Sequence, residues 1–380
     1  MRIHHWDTNT HTGPAIKVET RTPALNPSSA SSDITVYPDW LGDHAFTKIH
    51  GSRFAYIVGE MARGIATPRM VIAAAQAGLV GFYGSAGLKP ETIAAGLDEI
   101  EAALGKDAPA WGANLIHTPQ QPGYERAVVD LFLSRGVARV SASAFMQLSP
   151  EIVRYSATGM ARQPDGTVTR ATHVFAKVSR AEVARQFMAP APDAILKQLV
   201  ARGDITPEQA EIAASVPVAL DITAEADSGG HTDNRSAGPL FSSLVQARRE
   251  VCETHSLNPD EIRIGLGGGI GTPWAAAAAF QMGAAYIITG SVNQAAAESG
   301  LSLAGRKLLA DAGPADVAMA PAADMFEQGV EVQVLKRGTL FAMRGRRMRE
   351  IYKTRTGFAD CTAQEQAGIE TALGETYASV

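Results

Sequence analysis

From residue 54 onward, short apolar runs alternate with longer stretches whose apolar positions recur every three to four residues. The short runs cover 54–59, 79–83, 111–115, 138–142, 173–178, 219–224, 262–266 and 285–289. Between them, the helical period predicts helices over 68–77, 90–104, 124–135, 150–157, 180–187, 240–254 and 273–282. Strands that alternate with helices imply βαβ units and a parallel sheet. Eight strands close a barrel whose interior side chains can fill. The expected fold is therefore α/β, a (β/α)8 TIM barrel, with a doubly wound open sheet as the alternative.

Two regions break the alternation. Residues 193–215 read as a helical pair, 194–200 and 207–214, inserted after the fifth strand, with Thr206 placed to cap the second helix. Such an insertion either shapes a pocket beside the loops that follow the strands or decorates the surface. Residues 1–45 are rich in Thr, Pro, Ser and Asn and read as an extended N-terminal arm. The expected domains are thus the arm (1–45), the barrel (46–330, with its helical insertion at 190–216) and a basic C-terminal segment (331–380).

Composition narrows the function classes. The chain has 380 residues, of which 46% are hydrophobic, and a formal net charge of −5. A core of that size is easily buried, and the acidic balance gives no reason to expect nucleic acid or a membrane as partner. No apolar run approaches the roughly 20 residues that span a bilayer. Cys252 and Cys361 are far apart and lack metal-ligand spacing, so a reducing cytoplasm is the expected location.

The glycines supply the first chemistry. Gly265-Leu-Gly-Gly-Gly-Ile-Gly271 follows the seventh strand, Thr272-Pro273 then opens a helix, and Gly290-Ser291 follows the eighth strand. In barrels these two loops commonly hold a phosphate through backbone N–H groups and a helix N-terminus. A dinucleotide fingerprint would instead sit in the first βαβ unit with an acidic residue about 20 positions on. The second concentration is Glu225-Ala-Asp-Ser-Gly-Gly-His-Thr-Asp-Asn234, at the end of the sixth strand. His231, a residue that titrates near neutrality, is the candidate proton donor there. A metal site built from His231, Asp227 and Asp233 is a weaker reading, because no second histidine lies near.

Other strand ends carry Met61, Asn114, Ser141 and Lys177. Lys177 stands out, since an ammonium at the end of an apolar strand needs an anionic partner. Residues 333–349 hold a basic run in an acidic chain, which reads as a solvated face, a dock for an acidic carrier protein or a seat for a cofactor phosphate.

Several longer motifs resemble the PfaD family, the trans-acting enoyl reductases of polyunsaturated-fatty-acid and polyketide synthases, within the wider group of nitronate monooxygenases. They are Ala224-Glu-Ala-Asp-Ser-Gly-Gly-His-Thr-Asp-Asn-Arg235, Gly267-Gly-Gly-Ile-Gly-Thr-Pro273, Gly290-Ser-Val-Asn-Gln294, Asp316-Val-Ala-Met-Ala-Pro-Ala-Ala-Asp-Met-Phe326 and Leu335-Lys-Arg-Gly-Thr-Leu-Phe341. The resemblance runs from about residue 50 to about residue 350. It implies a barrel holding FMN, reduced by NADPH, that reduces an enoyl thioester carried on an acyl carrier protein of a polyketide or fatty acid synthase complex. It implies His231 as the catalytic histidine. Met61, Asn114, Lys177, Asp227, Gly230, Gly268, Gly269, Gly290 and Ser291 are the implied cofactor contacts, and the strand ends and glycine loops add Ser141, Gly229 and Gly267 to them.

The family usually continues into a long helical C-terminal region, and residues 353–380 read as a different, shorter helical end. Two other functions are weighed against the reductase. One is a nitronate monooxygenase using the same flavin with oxygen; the other is a non-catalytic flavoprotein or scaffold subunit of a synthase complex.

Overall fold

The computed structural model describes residues 16–18, 34–105, 108–323 and 325–379. Much of the expected arm lies outside the described residues. Within it, Ile16–Val18 and Ile34–Val36 pair antiparallel. Eight parallel strands then close into a barrel: β1 (Tyr56–Val58), β2 (Val80–Tyr83), β3 (Trp111–Ile116), β4 (Arg139–Ser143), β5 (His173–Val178), β6 (Asp221–Glu225), β7 (Arg263–Gly267) and β8 (Ile287–Thr289). Each pairs with the next, and β8 pairs with β1. The open-sheet alternative is excluded, because a closed barrel leaves no edge strand.

The helix starts share a local logic. Thr67, Ser149, Thr206 and Thr272 each accept a backbone N–H with the side chain, and each is followed by proline at the first helical position. The cap satisfies an orphan donor, and the proline sits where its missing N–H costs nothing. The result fixes where the chain turns into a helix at four places around the ring.

The barrel interior is closed from below. Helix His44–His50, in a stretch for which the sequence pattern predicts no element, lies under the N-terminal ends of the strands. Its Phe46 is fully buried, stacks on Tyr286 with ring centroids 4.7 Å apart and meets Phe175 edge-on. Beside it, Asp221 at the start of β6 binds Arg263 at the start of β7 through both carboxylate oxygens, at 2.6 and 2.8 Å. His50 reaches the same carboxylate at 3.0 Å, and Arg139 from the start of β4 donates to the other ring nitrogen at 3.2 Å. This buried polar network holds the floor of the barrel, at the end where residues serve stability.

The insertion takes the surface role of its two expected readings. Helices Asp193–Ala201 and Pro207–Ala213 follow helix Ala181–Met188 rather than a strand, so they lie on the floor side and the outer ring. Arg202 bonds Glu151 at 2.6 Å and Arg126 bonds Asp204 at 2.8 Å, tying the pair to neighbouring barrel helices. The pocket-shaping expectation does not hold, because a chain leaving a helix returns to the opposite end of the barrel from the strand termini.

Beyond the barrel, β9 (Val317–Pro321) and β10 (Glu331–Leu335) form an antiparallel hairpin, followed by helices Phe341–Thr354 and Ala363–Leu373. The boundary drawn at residue 330 falls inside that hairpin, so the barrel and the basic segment share a hydrogen-bonded unit. Among the described residues no helix is long and apolar enough to cross a membrane.

Candidate functional site

The C-terminal ends of the strands gather most of the side chains singled out in the sequence. Lys177, next to last in β5, finds the anionic partners that its position demands. Its Nζ lies 2.8 Å from Glu60 Oε1, just after β1, and 3.0 Å from Glu225 Oε1, at the end of β6. Burial alone would lower the lysine's pKa, but the two carboxylates outweigh it and hold the ammonium above its ordinary value. Glu60 is buried, and its Oε2 has no hydrogen-bond partner among the described residues. Such an unpaired acceptor is costly unless something else satisfies it. Glu60 went unremarked in the sequence as an ionic residue because its partner lies more than a hundred residues away.

Asn114 and Ser141 lie on adjacent strands, paired in register and both buried. The Asn114 amide donates to Ser141 O at 2.9 Å and to Ser143 Oγ at 3.0 Å, while Ser85 Oγ donates to Asn114 O at 2.6 Å. The side-chain amide is thus locked in orientation by β4, and its Oδ1 accepts no bond from the described residues.

The glycine loops meet the histidine loop. Gly267 closes β7, and its O accepts the N–H of Ala226 at 2.9 Å. Gly268 has φ +91°, and an added Cβ would stand 2.4 Å from Ala226 O. Gly269 has φ +69°, yet a Cβ there would meet nothing within 4 Å. The first glycine is required by close approach, whereas the second faces open space. Thr272 then caps helix Pro273–Gln281, whose N-terminal end follows directly. After β8, Gly290 lies near Met61, whose Sδ is 3.8 Å from the position of an added Cβ. A Cβ on Gly229 would be 2.7 Å from Ser291 Oγ. The loops after β1, β6, β7 and β8 therefore converge.

His231 is exposed and lies on a two-residue strand, Gly230–His231, which pairs antiparallel with β10. The loop is fastened on three sides. Asp227 accepts from Thr232 Oγ1 at 3.2 Å and from Gln333 Nε2 of β10 at 3.1 and 3.2 Å. Its backbone N–H donates to Arg235 O at 2.8 Å. Asp233 accepts from Ser179 Oγ at 2.7 Å and Arg180 Nε at 2.9 Å, just beyond β5. The Arg180 and Ser179 bonds hold the Asp233 carboxyl below its ordinary pKa.

The sequence placed the histidine loop correctly but missed its clasp, Gln333. Its only signal was alternation in Glu331–Leu335, which reads equally as any exposed strand. Asp227 and Asp233 are committed to loop bonds, and no group of three or more His, Cys, Asp or Glu among the described residues is placed to hold a metal ion.

No family model matches the chain. It is 45% identical over 334 residues to one of the polyunsaturated fatty acid synthase subunits of Thraustochytrium sp., a match covering 87% of this chain and 22% of that protein. It is 40% identical over 330 residues to the polyketide biosynthesis protein PksE of Bacillus subtilis, covering 87% of this chain and 43% of that one. The chain therefore spans less than half the length of these relatives. Among solved structures, the enoyl reductase domain of MlnA from the macrolactin cluster of Bacillus amyloliquefaciens superposes with a TM-score of 0.84 at 36% identity, covering 89% of this chain and 76% of that one.

Proposed function

The chain belongs to the PfaD-type family of enoyl reductases of polyunsaturated-fatty-acid and polyketide synthases, and from that premise we propose that it reduces an enoyl thioester with a bound flavin. The substrate of this reading is presented on an acyl carrier protein of the synthase complex. The cofactor is FMN and the reductant NADPH. Two buried free cysteines accord with a cytoplasmic setting.

The residues present fit such a cofactor. The open space over Gly269, the N-terminus of helix Pro273–Gln281 and the Gly290-Ser291 turn supply backbone donors and a positive dipole end for a phosphate. Gly267 and Gly268 shape that cradle. Asn114 Oδ1, the Ser141 strand, Met61 and the Lys177 ammonium with its carboxylates would face the rest of the group. Gly229 and Gly230 let the backbone of the histidine loop come close. Asp227, whose carboxylate takes bonds from Thr232 and Gln333, would hold the histidine loop beside the cofactor. When bound, FMN would pass a hydride from NADPH to the β-carbon of the thioester. His231 gives a proton to the α-carbon, so the double bond gains one hydride and one proton.

The observation that carries this reading is the contact between the histidine loop and the phosphate loop, Gly229 against Ser291. It brings the loop that carries His231 against one of the loops that would anchor the cofactor. The test is to purify the protein, read its flavin absorbance and follow NADPH oxidation with crotonyl thioesters. Oxygen uptake with nitroalkanes and no thioester reduction would replace this reading with the monooxygenase one. A colourless, folded protein that takes up no FMN would end both.

A further inference from the structure

The basic run of the C-terminal segment is not a uniform solvated face. Lys336, Arg337, Arg344, Arg346, Arg347 and Arg349 lie within residues 331–349, where Glu331 is the one acidic residue, in a chain of net charge −5. Three of the six are engaged. Arg349 stacks over Phe326 and Tyr352, Arg337 bonds Asp316, and Arg346 donates to Met319 O at 2.7 Å. Lys336 and Arg344 have no carboxylate within ion-pairing distance among the described residues. Arg347 has only long contacts, 3.7 Å to Glu350 and 3.8 Å to Glu365.

Lys336, Arg346 and Arg347 frame an apolar patch. Helix Phe341–Thr354 packs on β9 and β10 and leaves a groove lined by, among others, Lys336, Leu340, Met343, Arg346, Arg347 and Glu350. Leu340 is 53% exposed and Met343 63% exposed, with Phe341 beside them at 45%. Clustered apolar side chains rimmed mainly by cations, here three against the single carboxylate of Glu350, are the anatomy of a protein-binding face. The patch is also joined to the site, because β10 pairs with the Gly230–His231 strand.

We propose that this groove docks the carrier protein that presents the thioester, through an apolar helix face ringed by carboxylates. The inference rests on the enoyl reductase reading for the identity of the partner and on charge complementarity for the place. A partner seated here lies against the hairpin that borders the histidine loop, so its tethered acyl group needs to travel only around that edge. Opposite charges would speed the encounter and make it salt-sensitive, while the apolar centre slows release.

The test uses an acidic acyl carrier domain loaded with a crotonyl group, titrated by calorimetry into the whole protein at low and at physiological salt. The Lys336→Glu/Arg347→Glu double variant should bind at least tenfold more weakly. Met343→Ser should lose severalfold. KM for a small crotonyl thioester without a carrier should stay within twofold of the parent protein in both variants, and KM for crotonyl-carrier should rise in step with the binding loss. Carrier affinity unchanged in both variants would overturn the proposal. So would a matching loss with the small thioester, or a patch whose charge reversal abolishes binding to anionic phosphatidylglycerol vesicles but not to the carrier. Charge-dependent carrier binding with no turnover of either thioester would keep the docking face and reject the reductase activity.

Discussion

Gln333 and Asp227, 106 residues apart, are joined where the Gln333 side-chain amide lies 3.1 and 3.2 Å from the two carboxylate oxygens of Asp227. The bond runs parallel to the backbone pairing of Gly230 with Gln333 and of His231 with Val332. One residue of β10 thus fixes the histidine loop through its backbone and its side chain.

Gln333→Glu would set two carboxylates face to face in place of that bond. Both groups are open to solvent, so the cost in stability should be small, about 1 kcal/mol or less. The expected effect is on turnover: kcat for the thioester should fall roughly tenfold with little change in the melting temperature, because His231 loses its register. Gln333→Ala, which removes the bond without adding repulsion, should lose less. A Gln333→Glu protein with parental kcat and KM would mean that the hairpin does not position the loop.

His231→Gln keeps a polar side chain and removes the proton donor. Thioester reduction should drop about a hundredfold or more. Reduction of the flavin by NADPH, followed by the loss of its absorbance without thioester present, should stay within about twofold. Full thioester turnover in the variant would remove His231 from the chemistry and favour the scaffold reading.

The two adjacent glycines separate fold from cofactor. At Gly268 an added Cβ would stand 2.4 Å from a backbone oxygen at φ +91°, so Gly268→Ala should destabilise the protein by about 2 kcal/mol or more. At Gly269 the added methyl meets no protein atom, and only the left-handed backbone opposes it, at about 1 kcal/mol. Gly269→Ala should therefore melt near the parent protein yet lose FMN affinity, since its Cβ enters the space proposed for the phosphate. Equal FMN retention in parent protein and Gly269→Ala would move the phosphate elsewhere.

Lys177 is where the sequence came nearest to the structure and still missed the answer. An ammonium on an apolar strand called for an anion, and the anions are Glu225, at the end of the neighbouring strand β6, and Glu60, from across the barrel after β1. Strand periods, proline-led helix starts and glycine runs are local signals, so all eight strands were legible to within about two residues of their ends. Pairings set by closure of the barrel were not. The floor network joins His50, Arg139, Asp221 and Arg263, and no spacing in the sequence announces it. The insertion was legible as two helices, but its side of the barrel depended on whether it followed a strand or a helix.

Removing the central cation of that cluster tests its balance. Lys177→Met leaves Glu60 and Glu225 close together with their counterion gone, in a partly buried setting. Breaking one side of such a pair commonly costs about 3–5 kcal/mol, lessened here because Lys177 and Glu225 retain some solvent exposure. A thermal melt should show a clear loss at neutral pH that shrinks on acidification, as the orphaned carboxylates take up protons. A melting temperature equal to that of the parent protein across that range would mean that the lysine is not needed to hold the carboxylates.

The floor network predicts how the fold responds to acid. Arg139 can only donate, so His50 Nδ1 accepts from it and the proton sits on Nε2, which donates to Asp221. The ring is neutral in this arrangement, and burial, opposed by Asp221, lowers its pKa. His173, whose ring centroid lies 5.2 Å from that of His50, is also lowered, to about 3, chiefly by burial. In the unfolded chain both imidazoles take a proton near pH 6.5. Because the native state does not, their contribution is complete above that pH and is lost as the pH falls from about 6.5 toward 3. Asp221, whose tendency to be raised by burial is overcome by His50 and Arg263, is held below its ordinary range and adds a second loss below about pH 4. Stability should therefore be level between pH 7 and 8 and fall by about 1.4 kcal/mol per pH unit for each proton taken up on unfolding. His50→Gln offers the same two bonds, an amide donor toward Asp221 and an oxygen toward Arg139, without a proton site. It should flatten the slope between pH 6.5 and 5 while leaving the neutral melting temperature within a few degrees. Denaturant unfolding across that range decides the matter: an unchanged slope in the variant means that His50 is already charged in the native protein.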